Sequence, residues 1–214
     1  MLLNSIKNTK MAFFIWLLCL ITWLISLSFL PNEIAMQYND NGSVSWSVNK
    51  FWGSLIFMVI VTFIYVYYLI LPLVDPKKRN YKNFSSTYSL IVTTILIIVY
   101  FAEVLIIISN MGIKMSSNVV VYLILAILFI IIGNYFQKIR TNWFIGFRTP
   151  WTLSSEKVWK KTHRFTGRIY IALGLIFIIL AFLNTSMNWI TIIMIIVLAS
   201  LVPFAYSFII YKKQ

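Results

Sequence analysis

Apolar residues along this chain come in runs too long and too continuous for one face of a soluble fold. Six runs are separated by polar segments: Met11–Leu30, Phe51–Val74, roughly Ser86–Ser109, Asn118–Phe136, about 168–183 and Trp189–Ile210. A helix needs about 20 residues to cross ~30 Å of hydrocarbon at ~1.5 Å per residue, and five of the runs supply that directly. The shorter one gains a turn from Gly167 and Arg168, whose guanidinium can snorkel to the headgroups. None of the runs shows the alternation of a barrel wall. The pattern predicts an all-α, polytopic bundle of six transmembrane helices, forming a single integral membrane domain over residues 1–214. The first run follows basic residues, as a signal peptide would. Its apolar stretch exceeds the ~7–15 residues of a signal h-region and no A-x-A site follows, so it is expected to remain a span.

Two connections are long enough to carry structure of their own. One, residues 31–50, centres on Asn39-Asp40-Asn41-Gly42, a turn signal flanked by extended-looking residues. The other, residues 137–167, holds the most distinctive stretch, TNWFIGFRTPWTLSSEKVWKKTHRFTGR. Gly146 and Pro150 break helix there, and Ser154 or Ser155 can cap the helix that follows, with Glu156 in its first turn. Val158, Thr162, Phe165 and Ile169 then recur at helical spacing, with Lys157, Lys161, Arg164 and Arg168 on a neighbouring face. That spacing predicts an amphipathic helix lying on the inner leaflet, its basic residues toward lipid headgroups.

Composition makes lipid the main solvent: 61% of the 214 residues are hydrophobic and 11% charged. The net charge of +13 would suggest nucleic acid in a soluble chain, but here the basic residues sit between apolar runs. Sixteen of the eighteen Lys and Arg fall on one side of the six runs, leaving Lys50 and Lys114 for the other. The positive-inside rule then puts both termini and the 137–167 loop in the cytoplasm of a cell membrane.

Candidate chemistry is sparse. One cysteine, Cys19, and one histidine, His163, exclude an internal disulfide and any thiolate or multi-imidazole metal site. No cofactor, nucleotide or protease motif is present and no catalytic constellation can be drawn, so His163 reads as a polar structural contact. Arg148, between Gly-Phe and Thr-Pro in an aromatic loop, suggests a guanidinium with several specified hydrogen-bond partners. Glu103 is the one acidic residue well inside a run. It is either a protonated structural group bonded to a neighbour such as Thr22, or part of a transport or binding cavity.

The segment from Asn142 to Arg168 resembles the signature of the SdpI family of bacterial membrane proteins. Asn142, Gly146, Arg148, Thr149, Pro150, Trp151, Thr152, Trp159, Thr162, His163 and Gly167 carry that resemblance. Leu30, Pro31, Ile34, Asn39, Gly42 and Lys50 resemble the family's amino-terminal domain of unknown function, and Asp75-Pro76 with Asn80-Tyr81 its second loop. Gln37 and Tyr38 depart from the His-Trp that many members carry. The resemblance implies immunity to a secreted, membrane-active peptide toxin met on the outer side. It also implies a signalling role in some members, which hold a cytoplasmic repressor protein at the membrane. A transporter of small solutes or lipid, using a cavity around Glu103, is the alternative expectation.

Overall fold

The structure is a computed structural model and describes residues 9–38, 43–113, 117–183 and 189–214. The Asn39–Gly42 turn, Lys7 and Lys114 lie outside the described residues. In chain order the elements are α1 (Thr9–Ser26), β1 (Glu33–Tyr38), β2 (Val44–Asn49), α2 (Lys50–Val74), α3 (Ser85–Asn110), α4 (Ser117–Phe136), α5 (Pro150–Ser154), α6 (Glu156–Phe182) and α7 (Trp189–Lys212). A 3-10 turn over Lys78–Asn83 links α2 to α3. Among the described residues five helices, α2, α3, α4, α6 and α7, are long and apolar enough to cross a membrane. The protein is a polytopic helical membrane protein.

Three expectations are corrected. The run Met11–Leu30 is helical only to Ser26, so α1 is an apolar helix shorter than the other five. Its end is specified locally. The Ser26 hydroxyl turns back onto the Trp23 carbonyl at 2.9 Å, and Lys50 Nζ donates to the carbonyls of Leu27 and Leu30, each at 3.0 Å. A cation on these carbonyls also suits the negative end of the helix dipole. Second, the fold is not purely α, because the flanks of the 39–42 segment pair as an antiparallel ribbon from Glu33↔Asn49 to Tyr38↔Val44. Third, no separate amphipathic helix exists: residues 156–168 are the first turns of α6, which continues unbroken to Phe182. Ser155 caps that helix by accepting from Val158 N, and the two glycines in its path are contact points rather than breaks.

The described residues cluster into two compact units, where the sequence suggests one domain. The first comprises residues 9–70 and 92–113. Trp23, Leu30, Ile34 and Ile107 form its core, with Phe57 tilted against Trp23 at 5.4 Å between centroids. Asn110 fastens the ribbon: its Oδ1 accepts from Ala35 N at 2.7 Å and its Nδ2 donates to Ala35 O at 3.0 Å. The side-chain amide thus pairs with β1 as another strand would.

The second unit comprises residues 71–91, 117–183 and 189–214. Its most extensive contact is between α4 and α6. A Cβ added to Gly133 would lie 2.7 Å from the Gly167 carbonyl oxygen, and one on Gly167 would lie 2.6 Å from that of Gly133. Small residues are what let helix backbones touch in this way. On one side of that contact, Tyr122, Ala126, Phe129, Leu173, Phe177, Ala181 and Ala199 form a core. Phe177 stacks on Phe129 at 5.9 Å.

Candidate functional site

The distinctive segment folds around two buried polar residues. Asn142 is fully buried and uses its whole hydrogen-bonding capacity. Its Oδ1 accepts from Phe144 N (2.9 Å) and Ile145 N (2.6 Å), and its Nδ2 donates to the carbonyls of Arg140 and Ile145, both at 2.8 Å. An Asn can hold a turn in this way because one short side chain offers donor and acceptor together. Asp75, 1% exposed, lies 68 positions earlier in the chain than Trp143. It accepts from Lys77 N at 2.7 Å on Oδ1, and from Tyr81 Oη at 3.1 Å and Trp143 N at 3.0 Å on Oδ2. Nearby, Asn80 Nδ2 donates to Thr141 O at 2.7 Å. The segment is therefore tied to the turn after α2 at two places.

Gly146 and His163 form the second anchor. Gly146 has φ +113°, and a Cβ built there would land on His163 Nε2. The fully buried imidazole stacks on Trp159 at 4.0 Å and on Phe136 at 4.8 Å between centroids. Its Nε2 accepts from Phe147 N at 3.0 Å, so the proton must sit on Nδ1, which faces Trp159 O at 2.9 Å. That pattern holds the ring neutral and leaves neither nitrogen for proton transfer. Trp159 in turn donates from Nε1 to Ile139 O at 2.8 Å.

Thr149 and Pro150 start α5. Thr149 and Thr152 cap reciprocally, with Thr149 N donating to Thr152 Oγ1 at 2.8 Å and Thr152 N to Thr149 Oγ1 at 3.2 Å. Pro at the first helical position suits this, since its missing N–H would have no partner there. Trp151 seats α5 on α7 through Phe204 and Phe208, with centroids at 5.3 and 4.9 Å.

The structure thus brings Asn142, Gly146, Thr149, Pro150, Trp151, Trp159 and His163 into one connected framework. Arg148 is placed differently from the expectation. Its guanidinium is exposed and makes one directed hydrogen bond, from Nη1 to Trp143 O at 2.8 Å, where several were expected. The face expected to enter lipid is also corrected: Val158 and Thr162 are fully buried in protein beside Trp159 and Thr166. Lys157, Lys161, Arg164 and Arg168 are all exposed.

With most of the framework's polar groups spent on one another, and Thr162 Oγ1 buried without a partner, its outward chemistry is cationic and aromatic. Trp143 is 47% exposed. An open pocket of about 610 Å³ is lined by Pro76, Lys77, Lys78, Arg79, Asn80, Thr141 and Glu156. Among the described residues the ion pair present is Lys160–Glu156 at 3.6 Å, and no cluster of His, Cys, Asp and Glu could hold a metal. The surface offers cationic groups suited to meeting an acidic partner. Sequence reasoning singled out the framework but not Asp75 as its fastening. The Asp-Pro pair after the second run, with Asn-Tyr a turn later, was the available signal.

In the other unit Glu103 is 1% exposed, with the Cys19 thiol nearby, and its Oε1 is without a partner. Thr22, the expected partner, instead donates to Tyr100 Oη at 3.5 Å. Trp23 Nε1 and Thr93 Oγ1 of the same unit are also buried without partners.

Residues 138–207 match the SdpI/YfhL protein family, and residues 14–63 match a domain of unknown function (DUF1648). The chain is 27% identical over 207 residues to the Immunity protein SdpI of Bacillus subtilis (strain 168), covering 97% of each. No solved structure matches. The resemblance read from Asn142–Arg168 is borne out.

Proposed function

We propose, from the SdpI/YfhL family character of residues 138–207, that this bacterial multi-pass membrane protein is an immunity protein. In this reading it protects the cell from a secreted, membrane-active peptide toxin, by binding rather than catalysis. The observation that carries it is a match to an immunity protein over 97% of both chains. The ribbon and the ends of α1–α3 beside it face outward and meet the toxin. Trp46 and Val44, each 52% exposed, give that ribbon an apolar face suited to an amphipathic peptide. The basic surface around Lys77, Lys78 and Arg79 faces the cytoplasm and holds a repressor protein there when toxin is present.

This reading takes α1 as a sixth span and puts both termini in the cytoplasm. Maleimide added from outside intact cells, in a Cys19→Ser background, is expected to label Ser45→Cys and to spare Lys78→Cys. The reverse pattern would overturn the orientation and the assignment of faces with it.

Function is tested by expressing the protein in a host sensitive to the producer's toxin and measuring survival. Protection without solute flux is the expected result. Glu103 favours a second reading, transport, because a buried carboxyl oxygen without a partner is costly unless it has work to do. Under the immunity reading Glu103→Gln, nearly the same in shape, keeps protection at the level of the parent. Loss of protection by well-folded Glu103→Gln, together with pH-dependent flux in proteoliposomes, would replace immunity with transport.

A further inference from the structure

Past the contact of Gly133 with Gly167, α4 and α6 open into a pocket of about 280 Å³. Its walls are Gly133 of α4, Gln137 just past the end of that helix, and Arg164, Gly167, Arg168 and Ile171 of α6. Its origin is steric. Neither glycine carries a side chain, so the helices touch backbone to backbone there, with the Ile171 side chain beside Gly133. The volume is far more than the ~30 Å³ share of one liquid water.

The lining is sorted along the helix. Arg164 and Arg168 are one turn apart on one face of α6, and Gln137 is one turn beyond Gly133 at the end of α4. Both arginines are exposed, and the carboxylate nearest in sequence, Glu156, is paired with Lys160. Two guanidinium forks and an amide lining one pocket match the oxygens of a phosphate, which ammonium groups match less well. Beyond Arg168, α6 has no charged residue as far as Phe182. Ile171 forms the pocket's other wall, and Leu175, one turn further on the same face, is 52% exposed. Cationic and apolar ends therefore follow one another at the level where a membrane helix leaves the headgroups for hydrocarbon.

We propose that this pocket binds the phosphate of an anionic phospholipid, with Arg164, Arg168 and Gln137 on the headgroup and Ile171 and Leu175 along the first part of an acyl chain. Basic pockets between membrane helices are known to take such headgroups. Inorganic phosphate shares the headgroup chemistry but would use only the cationic end.

The test uses the full-length protein purified in detergent and exposed to phosphatidylglycerol or phosphatidylcholine, with retained lipid counted by native mass spectrometry. One phosphatidylglycerol is expected to stay bound and phosphatidylcholine to be lost. Arg164→Gln/Arg168→Gln should weaken retention about tenfold to thirtyfold, as two lost headgroup contacts imply. Lys157→Gln/Lys161→Gln removes equal charge from the same helix outside the pocket, and should change retention by less than about threefold. Thermal unfolding checks that each variant is folded, and Gln137→Leu, which leaves the charges intact, serves if the arginine pair is not. Equal losses from the two double variants, or no preference for phosphatidylglycerol, would overturn the site. Displacement of the lipid by millimolar inorganic phosphate would overturn the lipid assignment.

Discussion

Gly146→Ala is expected to be among the most damaging substitutions that add one methyl group to this protein, costing about 2–5 kcal/mol. The figure joins about 1–2 kcal/mol for placing a Cβ at positive φ with about 1–3 kcal/mol for forcing a carbon into a filled site. Both apply because Gly146 has φ +113° and its new methyl would fall on His163 Nε2, with the Trp159 ring 3.3 Å away. Neither neighbour can give way cheaply. His163 is stacked between Phe136 and Trp159 and holds Phe147 N, and Trp159 is tied to Ile139 O. Gly112 supplies the comparison: it has φ +88°, but a Cβ there meets nothing within 4 Å. Gly112→Ala should therefore show the backbone cost alone, about 1–2 kcal/mol. Thermal unfolding in detergent should separate the two variants clearly. In a His163→Ala background the penalty of Gly146→Ala should shrink toward that of Gly112→Ala, because the clash has lost its partner. Equal penalties for the two glycines in the parent background would show that the imidazole contact is not what constrains the loop.

What the sequence disclosed follows the range of the interaction concerned. Run lengths located the long helices, because the need to cover ~30 Å of hydrocarbon acts on consecutive residues. The cap of α6 at Ser154 or Ser155 was legible for the same reason, since caps involve residues three or four apart, whereas Pro150, read as breaking helix, in fact starts α5. The misreadings arose where partners are distant. The stripe through Val158 and Thr162 has the same period whether lipid or protein covers it, and only the fold shows that protein does. Glu103 was placed at a plausible depth near α1, but periodicity could not choose between Thr22 and Cys19, one turn apart. Arg148 stands out by composition, yet its surroundings leave it exposed with one bond. The residue that does the fastening, Asp75, reaches Trp143 across 68 positions, and its local Asp-Pro and Asn-Tyr signal does not name that partner.

That contrast yields the other large expected effect: Asp75→Asn should abolish most protection in the survival assay, while Arg148→Lys leaves it near the parent level. The Asp75 carboxylate receives three donors, Lys77 N on one oxygen and Tyr81 Oη with Trp143 N on the other. A carboxylate accepts at both ends, whereas an amide has one oxygen and one NH₂. Whichever way the substituted amide turned, its NH₂ would face a backbone N–H, from Lys77 in one orientation and from Trp143 in the other. At 1% exposure water has little access to repair the mismatch, so each such orphan should cost about 1–3 kcal/mol, more where a charged acceptor is lost. The 142–147 turn would lose one of its two ties to the turn after α2, which loosens the placement of Lys77, Lys78 and Arg79 beside the segment. Tyr81→Phe, which removes one donor and keeps the carboxylate, should cost only about 1 kcal/mol and retain protection. Arg148→Lys keeps a cation that can still reach Trp143 O, in an exposed position where water can complete the bond. Melting temperatures in detergent should rank the variants in the same order: Asp75→Asn lowest, then Tyr81→Phe, then Arg148→Lys closest to the parent. A survival assay in which Arg148→Lys fails and Asp75→Asn protects would reverse the assignment, making the exposed guanidinium the working group and the buried carboxylate dispensable.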